Sequence, residues 1–253
     1  GQYGKFYSSY ASAPWYQAEV AESESMAAKH GFESNRELKL AVVKKIRDFM
    51  LGGGFLFAMC SATDSYDIAM AAESTDICES MFDGTPADQN AQSKLNFDNC
   101  IAFKDFALNM DPYFYEFSNI DVDPRTRAVS EENDLFTLFD YSAKWDLIPS
   151  ILCQNHTKTI KGFMGQTTAY RSHLVRSDVL VMGENALLNE ARYLHGEFGK
   201  GTWTFFGGHD PEDYQHFVGE APTDLNLHPN SPGYRLILNN ILFPSAQKSK
   251  QKT

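Results

Sequence analysis

Between residues 35 and 54 the chain carries a helical period. Leu38, Val42, Ile46, Phe49 and Met50 recur on one face, while Lys44, Lys45, Arg47 and Asp48 fall on the other. The spacing predicts a helix that opens at Ser34-x-x-Glu37, a capping box, and stops at Gly52-Gly53-Gly54. A helical stretch from Pro14 to about His30 precedes it. Phe55 to Met59 is a short unbroken apolar run of the kind found in strands covered on both faces, and helical spacing resumes from Asp67 to Glu73. Helix, glycine stop, buried strand, sharp turn and helix is the order of a doubly wound α/β domain.

The middle of the chain is less regular. Asp83-Gly84-Thr85-Pro86-Ala87-Asp88-Gln89-Asn90 is loop chemistry, as is Asp121-Val-Asp-Pro-Arg, so residues 76–133 read as an insertion with some short strands. Strands are expected at Leu135 to Tyr141, Ile148 to Cys153, Val179 to Met182 and Thr202 to Phe206. Ser231-Pro232 supplies an N-cap and a proline at the first helical position, and Tyr234, Leu238 and Ile241 mark a closing helix that ends before Pro244. Residues 245–253 are polar and basic and read as a disordered tail. The expectation is one α/β domain over residues 1–244, with a flavodoxin-like, doubly wound, mostly parallel sheet and an inserted loop-rich segment.

Composition narrows the partners. A chain of 253 residues with net charge −11 lacks the clustered cations that phosphate-backbone binding requires, so nucleic acid is not an expected partner. No apolar run approaches the length of a membrane span. The four cysteines, Cys60, Cys78, Cys100 and Cys153, are far apart and form no C-x-x-C pair, which argues against a zinc ribbon or a disulfide scaffold. The expected partner is a small-molecule substrate or ligand.

The candidate chemistry centres on Ala58-Met-Cys-Ser-Ala62. A nucleophile on a tight strand-to-helix turn needs small residues two places to either side, which Ala58 and Ala62 provide. Such a turn aims a helix N-terminus at Cys60 and offers the Ser61 N–H to an oxyanion. The base would come from Gly207-Gly208-His209-Asp210-Pro211-Glu212-Asp213, directly after a strand, with His209 meeting Cys60 and Asp210 or Glu212 orienting the imidazole. Asp64, His156 and Gln166 are candidate substrate-binding residues, the last within the loop Gly162-Phe-Met-Gly-Gln166. His209, Asp210, Glu212, Asp213 and His216 match no recognised metal spacing, so neither metal nor cofactor is expected.

With A-M-C-S-A-T-D-S, Q-N-H-T-K-T-I-K-G-F-M-G-Q-T-T-A and H-G-E-F-G-K-G-T-W-T-F-F-G-G-H-D-P-E-D-Y-Q-H side by side, the chain resembles the class I glutamine amidotransferase-like superfamily. It looks most like the ThuA-like branch and a group of Bacteroidetes proteins labelled asparagine synthetase B. The resemblance implies that Cys60 stands at the nucleophile of the G-x-C-x-G elbow and His209 at the histidine of the late H-P-E motif. Alanines replace both elbow glycines, and one extra residue separates His209 from Glu212. It also implies a longer protein whose earlier strands complete the sheet, exported to the periplasm or cell envelope.

The synthetase label meets the residues less well. That chemistry calls for an N-terminal cysteine and an S-G-G-x-D-S loop for ATP. Ser61-Ala-Thr-Asp-Ser65 is one residue short and lacks both glycines. The leading expectation is therefore cysteine-dependent hydrolysis of an amide or related bond. The alternative is a non-catalytic module binding a sugar or other small polar ligand on the same scaffold, with aromatics such as Tyr113, Phe114, Tyr115, Trp145, Trp203 and Tyr214 as stacking surfaces.

Overall fold

In the computed structural model, residues 7–111, 113–114, 117–122, 127, 129–139, 157–214, 220–242 and 244 are described. The expected strand over Ile148 to Cys153, together with Trp145, Tyr115, His156, His216 and the tail from residue 245, lies outside them.

Local signals place the first elements. Helix α1, Pro14–Lys29, starts on its proline. In α2, Asn35–Leu51, the Ser34 hydroxyl accepts from the Glu37 N–H at 3.2 Å, and the Glu37 carboxylate takes the Glu33 N–H at 3.1 Å. The face expected to be buried on α2 is only partly covered: Met50 is fully buried, while Val42 is 48% and Phe49 60% exposed. Strand β1, Phe55–Met59, leads straight into α3, Ser61–Ala71, and the chain closes with α4, Pro232–Leu242, where the Ser231 hydroxyl accepts from the Tyr234 N–H.

The sheet departs from the doubly wound, mostly parallel arrangement expected. Its other strands are β2 Leu135–Leu138, β3 Thr159–Lys161, β4 Tyr170–Arg171, β5 Leu180–Asn185, β6 Glu190–Phe198 and β7 Gly201–Phe206. They run in the order β1-β7-β6-β5-β2-β3, with β4 also on β6, as a curled half-barrel that is mostly antiparallel. Among the described strands only β1 and β7 are parallel. The cause is connection length. A parallel neighbour needs a crossover of a dozen or more residues, whereas β6 and β7 are joined by Gly199 and Lys200 alone, with Gly199 at φ 62°. The link from β5 to β6 is residues 186–189, where Asn189 takes φ 54°. Both turns fold the chain straight back.

Strand β6 was not anticipated, because Glu190, Arg192 and His195 interrupt its apolar pattern. All three are buried. Arg192 pairs with Asp134 at 2.6 Å and Glu190 at 2.7 Å, and Arg127 bonds the same two carboxylates, so two cations meet two anions. His195 Nδ1 lies 3.1 Å from the Thr204 hydroxyl across the strand pair.

Residues 76–133, expected as an insertion, contribute to the main core. Ile101, Ala102, Phe103, Phe106 and Ile120 pack with Tyr66, Tyr170, Trp203 and Phe205. The Asp67 carboxylate on α3 ties this segment in by accepting the N–H groups of Ile101, Ala102 and Phe103 at 2.7–2.9 Å. A second cluster, including Phe136, Phe163, Tyr193, Phe206 and Leu236, fills the space under α4. Among the described residues no helix is long and apolar enough to cross a membrane.

Candidate functional site

The parallel pairing of β1 with β7 brings two distant points of the chain to one edge of the sheet. Met59 pairs with Phe206 as the last matched pair, so Cys60 and the Gly207-Gly208-His209 turn leave from the same end. The Cys60 N–H continues the pairing, donating to the Phe206 carbonyl at 3.0 Å.

Cys60 then turns the chain. Its φ of 55° and ψ of −138° are a conformation that a side chain disfavours, and α3 begins at the next residue. The turn is held from the other side: the Thr63 N–H and hydroxyl both donate to the Cys60 carbonyl, at 3.1 and 2.7 Å, and the Tyr170 hydroxyl backs Thr63 at 3.1 Å. Cys60 is a free thiol and 9% exposed. Ser61 opens α3 with its N–H in the first turn of the helix, where such groups have no intrahelical partner.

The loop 163–168 closes over the thiol. The Gln166 N–H donates to Cys60 Sγ at 2.9 Å. Gly165, with φ 159°, permits this approach: a methyl group there would lie 3.0 Å from Sγ, 2.9 Å from Gly208 Cα and 3.2 Å from His209 Cδ2. Cys60 and His209 therefore face the same glycine, with Sγ and Cδ2 within about 6 Å of one another. Two backbone bonds knit the loops together, Met164 N–H to the Asp210 carbonyl and His209 N–H to the Met164 carbonyl, both 2.7 Å.

The other expected site residues have separate settings. Asp210 accepts from the Tyr234 hydroxyl and the Glu212 and Asp213 N–H groups at Oδ1, and from the Thr223 hydroxyl at Oδ2. Burial raises its carboxyl, but these bonds outweigh it and hold the group below the usual range. Asp210 thus organises the turn that carries His209. Glu212 is placed against a partner the sequence did not suggest, His228, whose Nδ1 is 3.6 Å away. Asp64 is buried on α3, with its Oδ1 taking the Thr167 hydroxyl at 3.3 Å. Gln166 is 8% exposed, and both polar atoms of its carboxamide are buried without a partner among the described residues. His156 lies outside the described residues. Among the described residues no group of three or more His, Cys, Asp or Glu side chains is arranged to hold a metal ion.

No protein-family model, curated protein or solved structure matches this chain.

Sequence reasoning selected Gln166 for its side chain and missed its backbone, which touches the thiol. The paired glycines Gly162 and Gly165 were the available signal, since a loop with two such residues in four can approach another backbone closely.

Proposed function

We propose that this chain is a cysteine-dependent hydrolase of amides or related acyl compounds. The observation that carries this reading is the strained turn at Cys60, which sets a free thiol against Gly165, the same glycine that His209 faces. A cysteine used only as a small apolar side chain would not need backbone of this kind. The chemistry balances with groups of this chain alone. Cys60 gives its proton to His209, and the sulfur electron pair forms the S–C bond to the substrate carbonyl while the C=O π pair moves onto oxygen, facing the Ser61 N–H. Collapse restores the carbonyl, breaks the C–N bond and sends the His209 proton to the leaving amine. Water, deprotonated by His209, then attacks the thioester and releases a carboxylic acid and the thiol.

A second reading, a non-catalytic small-ligand module, is favoured by a cavity of about 220 Å³ on another side of α3. Leu40, Ile68, Ala72, Ile77, Phe82 and Phe117 help to line it, and the thiol does not.

Thiol mapping separates the two. Burial pushes the Cys78 thiol up to about 12 and raises that of Cys100 as well. Iodoacetamide at neutral pH should label Cys60 well ahead of both, and His209→Ala should slow Cys60 by about 100-fold or more, the low end for a positioned base. Cys60 labelling that is as slow as that of Cys78, or indifferent to His209, would leave the binding module standing.

A further inference from the structure

We infer that the backbone N–H of Gln166 is the second oxyanion donor of the Cys60 site. This rests on the hydrolase reading above. A tetrahedral intermediate needs more than the single donor at Ser61, and preorganised N–H groups supply much of the rate in acyl transfer. The Gln166 N–H is the backbone donor that the structure brings onto the sulfur, at 2.9 Å. In the tetrahedral adduct the oxyanion and the sulfur share one carbon, so a donor that meets Sγ in the resting site is within a small shift of that oxygen. When the S–C bond forms, the charge leaves sulfur for oxygen, and the same N–H follows it.

Two further features belong to a built donor rather than a chance contact. Gly165 leaves no room for a side chain between Sγ, Gly208 and His209, so the close approach is specified by residue type. Gln166 is 8% exposed, yet its carboxamide Oε1 and Nε2 have no partner among the described residues, and the same holds for the Thr168 hydroxyl two residues on. Leaving buried polar atoms unmade costs stability, and a substrate with its own amide donor and acceptor would satisfy them. The residue would then serve twice, its backbone on the oxyanion and its side chain on the substrate.

The test compares Gln166→Pro, which removes the N–H, with Gln166→Ala, which keeps it. Each is assayed for alkylation of Cys60 by iodoacetamide, where the sulfur displaces iodide at saturated carbon and no oxyanion forms, and for acylation by p-nitrophenyl acetate, where one does. Gln166→Pro should lose about 100-fold or more in acylation, the usual cost of one oxyanion donor, with far less effect on alkylation. Gln166→Ala, which keeps the N–H, should lose far less than Gln166→Pro in acylation by p-nitrophenyl acetate. Equal losses of acylation and alkylation in Gln166→Pro, or none, would overturn the inference while leaving the nucleophile in place. A wild-type Cys60 that alkylates but never acylates would overturn the hydrolase reading and the inference with it. If the proline variant does not fold, the wild-type protein decides the matter by NMR. The Gln166 amide proton should move downfield in the hemithioacetal formed with propanal and not in the iodoacetamide adduct; an amide that responds alike to both refutes the assignment.

Discussion

Glycine and alanine at position 60 should differ in stability in the direction opposite to their usual order. Cys60 has φ 55° and ψ −138°, where a Cβ is strained by roughly 1–3 kcal/mol. Both substitutions remove the sulfur, so both lose its packing and its bond from the Gln166 N–H at 2.9 Å, and these losses cancel in the comparison. Alanine keeps the Cβ and the strain. Glycine relieves it but gives back roughly 0.5–1 kcal/mol through the larger entropy of its unfolded chain. The net expectation is that Cys60→Gly is more stable than Cys60→Ala by about 1 kcal/mol, or about 2–4 °C in Tm for a domain of this size. Urea denaturation followed by circular dichroism, with calorimetry as a second probe, measures the difference. An alanine variant more stable than the glycine variant by roughly 0.5–1 kcal/mol would mean that the turn carries no backbone strain, and the reading of Cys60 as a poised thiol would lose its main support.

Two further predictions concern the strand that the sequence concealed. Arg192→Met should cost about 3 kcal/mol or more, because Asp134 and Glu190 would remain buried with Arg127 as their shared cation; a loss below about 1 kcal/mol in urea unfolding would show that the network is dispensable. Burial pushes the His195 imidazole down to about 4, so the folded protein favours the neutral ring; its contribution to stability is complete above the unfolded value of about 6.5 and is lost as pH falls towards 4. Asp67, raised by burial to about 6, works the other way, since the folded state takes up its proton over the same range as pH falls. The difference between wild type and His195→Gln therefore isolates the histidine: it should shrink by on the order of 2–3 kcal/mol between pH 7 and pH 4, and a difference independent of pH would refute the assignment.

What the sequence made legible was local. The Ser34 cap, the three glycines after α2, the apolar run of β1 and the Ser231-Pro232 start of α4 each act through neighbours a few residues away. The pair Cys60 and His209 was likewise visible as two turns that each follow a strand. The sheet was misread because one real parallel pair, β1 with β7, was extended to strands whose turns forbid it. Gly199-Lys200 is a hairpin signal, but it stands out only once β6 is recognised as a strand. That strand was hidden because Arg192 and Glu190 are neutralised by Asp134 and Arg127, residues far enough along the chain that no periodicity connects them. The Gln166 contact was beyond reach for a related reason, since it depends on how a loop from one part of the chain lies over a turn from another.

The parallel pairing of β1 with β7 bears on the order in which the molecule is assembled. The hairpins from β5 to β7 join neighbours in sequence and can close within a short search. Cys60 and His209, by contrast, are about 150 residues apart and meet only when β1 docks on β7, so their juxtaposition requires the closure of a very long loop. The juxtaposition of Cys60 and His209 is therefore a late product of folding. The geometry that the proposed hydrolase needs exists only after the rest of the sheet is in place to hold it.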